Sequence, residues 1–536
     1  MKIDAANVPT GAVLKADVCI VGGGPVGLAL ASELQASGQR VCILESGGER
    51  PSSAGQRLNQ GSNVGRRYMR LDRARFRALG GNSHKWFRFE SAWAVDGGLR
   101  CLPLRPIDYE VRAGVPFSGW PIGSGDLEPA YGRARELCGL PSAEAEAASN
   151  DGAPFALDPS RIEPVVFQFG AEGAFGRLGQ RLSDAPSVQI VLNATATSVK
   201  MDAQDPKHTS RIEVARPDGR RFEVEARVFV LAAGGIENAR LLLLSGQTQP
   251  GGLGNGSGLA GRFFMEHLHA NLGVLRSSAP DFWARAGFYE RCRVGPAAEL
   301  GAFALSPEVM RAEGLLGVVI SPFVTYEGLF SRPFAAFMRL RQGLLDRSLP
   351  PAVASDLSTL LRRPFDVARA VAMVRTRRFP SRRVFGLVVQ AEQAPNPDSR
   401  VTLSDRVDHF GLRQVQLDWR LGANELRSVR RAQSLLDAEL RRAGLGSIDT
   451  WFGAGDADRL VGTWHHMGTT RMHPDAAQGV VDRDCRVHGT ANLFVAGSSV
   501  FPTSGAATVT LTSVALAVRL ARHLRTSLAQ RDVVAT

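Results

Sequence analysis

Cysteine is scarce and scattered, with Cys19, Cys42, Cys101, Cys138, Cys292 and Cys485 the only six in 536 residues. No two stand as CxxC, so neither a zinc motif nor a dithiol redox motif is present, no metal is expected, and no CxxCH haem attachment occurs. Such sparse cysteine reads as a chain of a reducing compartment, and Cys19 and Cys42, set in apolar runs, read as small core residues. Lysine is scarcer still: Lys2, Lys15, Lys85, Lys200 and Lys207 are five of 64 basic residues. No apolar run approaches the roughly 20 residues of a membrane span, and the opening MKIDAANVPTGAVLKAD lacks an apolar secretory core. The expectation is a soluble, cytoplasmic protein. Repeats and low-complexity tracts are also missing, and 44% hydrophobic with 22% charged residues excludes wholesale disorder, collagen and coiled coil.

What is present in excess is arginine and glycine. The net charge is +12, and much of it comes from residues 332–383, where twelve Arg face three Asp. Leucines and phenylalanines interleave there. Three readings stand: a solvated helical insertion, a peripheral contact with anionic membrane, or a lid over a substrate entrance. Nucleic acid is not an expected partner, because the aromatics follow no stacking-module pattern.

The 57 glycines include a fingerprint. An apolar strand, Ala16 to Val21, runs into Gly22, Gly24 and Gly27 as GxGxxG. A helix pattern follows from Pro25 to Ala36, then a strand from Arg40 to Leu44 ending at Glu45. In such a βαβ unit the first glycine makes the turn and the second admits a pyrophosphate. The third lets helix and strand pack closely, and the acid accepts from ribose hydroxyls. The helix N-terminus favours the phosphate charge. Further glycine clusters at Gly80–Gly81, Gly234–Gly235 and Gly497 imply repeated close backbone approach, which suits an extended FAD better than NAD.

Beyond this unit, residues 50–130 are turn-rich and read as long loops. Strand patterns occupy 186–231 and 270–325, a Pro-punctuated helical stretch covers 328–381, and strands return at Val384–Val389 and Arg400–Leu403. An amphipathic helix spans Leu426–Ala443. The C-terminal part carries a strand, Leu493–Ala496, and a helix, Thr510–Leu524. Dinucleotide-type elements at both ends with other elements between them imply discontinuous domains sharing one ligand. The fold class is α/β (α+β overall), with Rossmann-type elements interleaved with segments of another character, among them a basic helical insertion at 328–383.

The chain resembles the glucose–methanol–choline (GMC) oxidoreductases, closest to the bacterial sugar-dehydrogenase and pyranose-oxidase-like branch. The resemblance is carried by IVGGGPVGLALA with Glu45, GGNSHKW from Gly80, SGWPI at Ser118–Ile122, LAAGGIENARLLL at Leu231–Leu243 and GRFFMEH at Gly261–His267. PNPDSRVTLS at Pro395–Ser404, HHMGTTRM at His465–Met472 and NLFVAGSSVFPTSG at Asn492–Gly505 complete it, so that it spans residues 16–525. It implies a Rossmann-type FAD-binding domain, made of 14–130 (with a flavin-contacting loop at 79–90), 186–265 and 461–525, interleaved with a substrate domain of antiparallel sheet and helices at 266–460 that carries the basic insertion 328–383. It also implies an FAD enzyme that oxidises a CH–OH group of a sugar, glycoside or related alcohol by hydride transfer to flavin N5. The implied base is His465 of the H-x-x-G-T pattern, a residue type suited to the role by its pKa; His466 is its adjacent competitor. The cofactor contacts expected are Gly22, Gly24, Pro25, Gly27 and Glu45 from the fingerprint. Gly80, Gly81, Asn82 and Ser83 are expected from the second cluster. Position 198 (Ser198), Ala233, Gly234, Gly497 and Thr508 complete the set.

Two departures from the pattern bear on chemistry. The family's second catalytic residue, a His or Asn, falls on Thr508 here, flanked by Ala506 and Val509. A hydroxyl still donates and accepts but shares no base duty. The alternative function is therefore a diverged flavoenzyme performing oxidative tailoring of a natural product: desaturation, cyclisation, elimination or decarboxylation. The His to which some members link FAD covalently is replaced by Lys85, with His84 one place early, so non-covalent FAD is expected. The partners expected are a small-molecule substrate and an electron acceptor, with oxygen, a quinone or a cytochrome all open.

Overall fold

A computed structural model describes residues 1–86, 98–140, 153–246, 251–294, 297–326, 328–345, 349, 353–376, 378, 383–453 and 455–535. Residues 87–90 of the expected flavin loop 79–90, and parts of the basic segment 332–383, lie outside the described residues.

Strand Val13–Val21 ends in a continuous apolar run, the composition of a strand covered on both faces of a parallel sheet. It pairs in parallel with Val41–Leu44 on one side and Arg221–Leu231 on the other. Val188–Leu192 and Lys2–Asp4 extend the sheet outward. The late strand Leu493–Val495 joins Arg221–Leu231, also in parallel. Helix Pro25–Gln35 has proline in its first turn, where no N–H is missed. It packs against the long helix Val509–Ala535, which also lies on helix Ser124–Leu137.

The second sheet runs in the order Gly446–Thr450, His267–Ser277, Arg383–Glu392, Val318–Tyr326, Ala297–Leu305, Ile162–Gly170 and Leu99–Cys101. All the pairings recorded along this order are antiparallel. Its two faces have different partners. Val319, Ala304, Ala302, Leu300 and Phe167 join the core shared with the parallel sheet. Ile320, Phe303 and Leu305, one residue out of phase, pack with Val429, Leu435 and Leu436 of helix Ala423–Arg442. Period-2 alternation thus gives one side of this sheet to the core shared with the parallel sheet and the other to helix Ala423–Arg442.

Helix Ser124–Leu137 lies partly inside the stretch that reads as loop. Gly123, Gly125 and the internal Pro129 mask an apolar spacing of Leu127, Ala130, Tyr131, Ala134 and Leu137, all buried on one face. Strands Ile162–Gly170 and Arg413–Asp418 were likewise not visible as patterns. The basic segment contains helices Arg332–Leu345, Val353–Arg362 and Pro364–Thr376. Among the described residues no helix is long and apolar enough to cross a membrane.

Candidate active site

One cavity runs along the C-terminal ends of the parallel strands, from Glu45 and Thr195 at one end to Trp464, His465 and His466 at the other. This is where open α/β sheets take their ligands. The three fingerprint glycines serve it differently. Gly22 holds φ +113°, and a Cβ there would fall 2.5 Å from the Ala232 carbonyl oxygen. A Cβ on Gly27 would sit 2.0 Å from the Gly22 carbonyl oxygen, so Gly27 brings helix to strand and does not line the cavity. Gly24 lines the cavity, and a Cβ on it would meet no protein atom within 4 Å. The Glu45 carboxylate accepts from the Gly23 and Gly47 amides at 2.9 and 2.7 Å. Burial raises its pKa against those bonds, and its remaining lone pairs face the cavity it lines.

Arginines gather further along. Glu237 accepts from Arg75 at 2.5 Å and Arg77 at 2.8 Å, with Arg240 at 3.4 Å. Burial opposes its charge, but the three guanidiniums hold its carboxyl far below the usual range. Arg75 is pushed down to about 10, by burial above all, and its Nε is buried with no partner. An orphaned cationic donor, the open space before Gly24 and Gly234 and a carboxylate at the strand end fit the phosphates and ribose of FAD.

Side chains from distant motifs close the far end. Asn238 is fully buried; its Oδ1 accepts from the Ala233 amide at 2.8 Å and its Nδ2 donates to Ser499 Oγ at 3.0 Å. It thereby ties the GGIENA turn to the GSS turn. Gly235 lies where a Cβ would come within 2.4 Å of the His466 carbonyl oxygen. Trp120 of SGWPI donates its indole N–H to Thr503 Oγ1 at 2.8 Å, anchoring the FPTSG loop.

At this end His465 meets a histidine that the sequence reading left without a role. His465 Nδ1 lies 2.9 Å from His267 Nδ1. His267 Nε2 faces two carbonyl oxygens, Ser504 at 3.2 Å and Gly505 at 3.0 Å, so Nε2 carries the proton and Nδ1 accepts. His465 Nδ1 must therefore donate. Thr463 is placed to agree: with its hydroxyl donated to the His267 carbonyl at 3.2 Å, it presents its lone pairs to His465 Nδ1 at 3.3 Å. The nitrogen of His465 left with a lone pair is Nε2. Burial first, then the neighbouring His267, His269, His466 and Arg100, hold its pKa well below the ordinary histidine value. His267 is pushed down to about 4, chiefly by burial, so both rings are neutral near pH 7.

Glu266 supports this pair from behind. Its carboxylate accepts the His465 amide at 2.9 Å, the Thr463 amide at 3.2 Å and the Tyr68 hydroxyl; burial raises its pKa to about 7. Tyr68, with its proton on Glu266, accepts from His466 Nε2 at 2.9 Å. Burial pushes His466 down to about 3. His466 is thus engaged by Tyr68, although its ring also borders the cavity.

Of the expected contacts, Gly22, Gly24, Pro25, Glu45, Gly81, Asn82, Ala233, Gly234 and Gly497 line the cavity together with His465. Five do not. Besides Gly27, Gly80 holds φ +95° and donates to the Gly23 carbonyl at 2.7 Å, which sets the turn behind the lining. Ser83 spends its hydroxyl on the Gly80 carbonyl at 2.7 Å. Ser198 lies further along a strand whose start, Thr195 and Ala196, reaches the cavity. Thr508 is buried with its hydroxyl accepting from the Leu102 amide at 3.1 Å, while Val509, Thr510 and Ser513 line the wall. Lys85 turns its ammonium to the Arg73 carbonyl and over the Trp464 ring at 4.5 Å, and His84 Nε2 bonds the Leu79 carbonyl at 2.8 Å. The missed residues Glu266 and His267 were in plain view in GRFFMEH; Tyr68, Arg75 and Arg77 carried no motif.

A Rossmann-type sheet, an FAD-shaped cleft and a neutral histidine pair at its end define a flavin-dependent oxidoreductase. Comparison with known proteins narrows the class. A family profile described as GMC oxidoreductase matches residues 395–517, and one described as FAD binding domain matches residues 15–70. Over those residues the chain is similar to the GMC oxidoreductases, and its cofactor is FAD. It is similar to the fructose dehydrogenase large subunit of Gluconobacter japonicus, 26% identical over 347 residues, covering 64% of this chain and 55% of that one. It is also similar to paromamine 6′-oxidase of Streptomyces fradiae, 26% identical over 469 residues, covering 80% and 76%. The chain thus spans just over half the length of the first relative. Among solved structures, Aspergillus oryzae RIB40 formate oxidase shares the fold, with a TM-score of 0.52 at 17% identity over 97% of this chain and 99% of that one.

Proposed function

We propose that this chain oxidises a CH–OH group of a sugar, glycoside or related alcohol, with His465 as the base. The observation that carries the reading is the tautomer of His465. His267, committed through Nε2 to two carbonyls, requires the proton on His465 Nδ1, and the Thr463 hydroxyl is placed to accept from the same nitrogen, which leaves Nε2 as an unprotonated acceptor at the end of the cofactor cavity. FAD, when bound, supplies the acceptor for the hydride of the oxidised carbon. The chain's own part is to take the hydroxyl proton at Nε2. His267 and Thr463 hold the imidazole in the accepting tautomer. Glu266, bound to the His465 backbone amide, fixes the ring's position. Gly24, Gly81, Glu45 and Arg75 hold the cofactor without a covalent link. Relatives whose names specify fructose and paromamine support a sugar-like substrate.

The diverged-chemistry reading drew on Thr508 in place of a His or Asn. Thr508 gives its lone pair to a backbone amide inside the wall, which favours a structural part for it and leaves the base unaltered. The test is anaerobic mixing of the FAD-loaded protein with a panel of sugars, glycosides and simple alcohols, following the flavin absorbance. Bleaching by one of them that is lost in His465→Ala supports the reading. Bleaching that survives His465→Ala removes His465 as base, and a flavin that none of the panel reduces favours tailoring chemistry.

A further inference from the structure

The side of the antiparallel sheet that bears His267 carries polar residues at both ends and apolar ones between. His267 and His269 stand two apart on one strand, and His269 is opposite Gln390 on the next. Gln390 is opposite Val319, two residues from Ser321 on the third strand. Ala304 pairs with Val319. Leu300, on the same side as Ala304, pairs with Phe167. Arg100 on the edge strand pairs with Phe169, two residues from Phe167. One side of the sheet therefore presents His267, His269, Gln390, Ser321 and Arg100, with Glu392 opposite His267 and ion-paired to Arg112, around an alanine, valine and phenylalanine floor.

The His269 end is closed on itself: Gln390 Oε1 lies 3.1 Å from His269 Nε2, and Gln390 Nε2 donates to the Ala506 carbonyl at 2.7 Å. The Arg100 end is not. Its guanidinium lies 4.2 Å over the Phe167 ring, and Nη2 donates to Ser321 Oγ at 3.1 Å. Nε is buried and has no partner. Among the described residues no carboxylate is paired with it; the charged group that bears on it is Arg291, itself 4.0 Å over the neighbouring Phe169 ring. Burial pushes Arg100 down to about 10. A guanidinium withdrawn from water without a carboxylate is costly and uncommon, and its fork matches a carboxylate or phosphate in two-point contact.

We propose that Arg100 is the anion-recognising residue of the substrate site, and that the substrate is an alcohol or sugar bearing a carboxylate or phosphate group. The inference rests on the CH–OH reading above. Two strand spacings, about 10 Å, separate the His267 strand from the Ser321 strand. The oxidised hydroxyl and the anion accordingly sit at opposite ends of a molecule of about sugar-ring size. Phe167 and the alanine floor supply the apolar surface between them.

The test uses the FAD-loaded protein and three probes: methyl β-glucoside, methyl β-glucuronide and glucose 6-phosphate. Thermal shift reads binding, and anaerobic flavin bleaching reads oxidation. The expected result is stabilisation by an anionic probe and not by the glucoside, with affinity weakened about 30-fold or more in Arg100→Gln and partly recovered in Arg100→Lys. The responding probe distinguishes carboxylate from phosphate. Equal response to neutral and anionic probes, no response to either anion, or an anionic response unchanged in Arg100→Gln overturns the proposal. Anion binding that depends on Arg100, without bleaching by any probe, keeps the anion site and counts against the CH–OH reading instead.

Discussion

The imidazoles of His267 and His465 meet nitrogen to nitrogen at 2.9 Å with their planes 86° apart, and one proton lies between them. Because His267 is committed to two carbonyls through its other nitrogen, the shared proton belongs to His465. The pair orients the base through an imidazole, while the Glu266 carboxylate bonds the His465 backbone and not its ring.

His267 is therefore a positioning residue whose loss should slow flavin reduction more than it weakens substrate binding. His267→Leu removes the acceptor and is expected to cost on the order of 10²-fold, by analogy with losing the orienting partner of a catalytic histidine. His267→Asn retains an acceptor oxygen and should recover much of that rate. Stopped-flow reduction over a range of substrate concentrations separates the rate from the binding constant. Equal losses in the two variants would indicate a packing role only.

The pH dependence of reduction follows from the depressed pKa of His465. A base is active when unprotonated, so activity is retained above its pKa and lost as pH falls through it. With burial, His267, His269, His466 and Arg100 all lowering that pKa, the rate should stay level from pH 8 to about 6 and decline only well below the usual histidine range near 6.5. Removing a neighbouring cation in Arg100→Gln should move the acid limb upward. A wild-type midpoint near 6.5 would contradict the burial of His465.

Gly24 and Gly27 are one turn apart, yet their alanine variants should fail in different ways. Gly27→Ala places a methyl 2.0 Å from the Gly22 carbonyl oxygen, so strand and helix must separate, at a cost of about 1–3 kcal/mol or more. Gly24→Ala meets no protein atom and should fold with an unchanged melting temperature in the absence of FAD, but bind FAD poorly. Calorimetry and FAD titration of the two proteins distinguish the outcomes. Similar FAD affinity for Gly24→Ala and wild type would place the pyrophosphate elsewhere.

The flavin should be released whole on acid precipitation. His84 is engaged with the Leu79 carbonyl, and Lys85 is turned to the Arg73 carbonyl, so neither offers the imidazole nitrogen that a covalent link uses. Yellow colour remaining in the washed pellet would show a bond formed at another residue.

Much of the scaffold was legible in the chain. The apolar run to Val21, the glycine spacing and Glu45 imply a nucleotide-binding βαβ unit, because each has a single inexpensive structural solution. His465 was legible from its flanking Gly and Thr. His267 was not, although it lies in a recognisable stretch: its role depends on the carbonyls of Ser504 and Gly505, more than two hundred residues away, and no local pattern encodes such a contact. Arg100 was hidden for the same reason. Its meaning comes from Ser321, from Phe167 and from the lack of a paired carboxylate among the described residues, all of them matters of tertiary placement. Helix Ser124–Leu137 was concealed by glycine and proline, whose local preference the buried Leu127 and Tyr131 overrode.

The parallel pairing of Phe229 with Leu493 has a consequence for how the protein is made. The nucleotide-binding sheet takes one of its strands, and the helix that covers its first helix, from segments far later in the sequence. During synthesis the earlier strands emerge with an unpaired edge and an uncovered apolar face, and these wait until that later segment has left the ribosome. Pairings of such long sequence separation form slowly, and an open strand edge in the interval invites association between nascent chains. The yield of active enzyme in a cell should therefore depend more on chaperone supply and growth temperature than the finished molecule's stability would suggest.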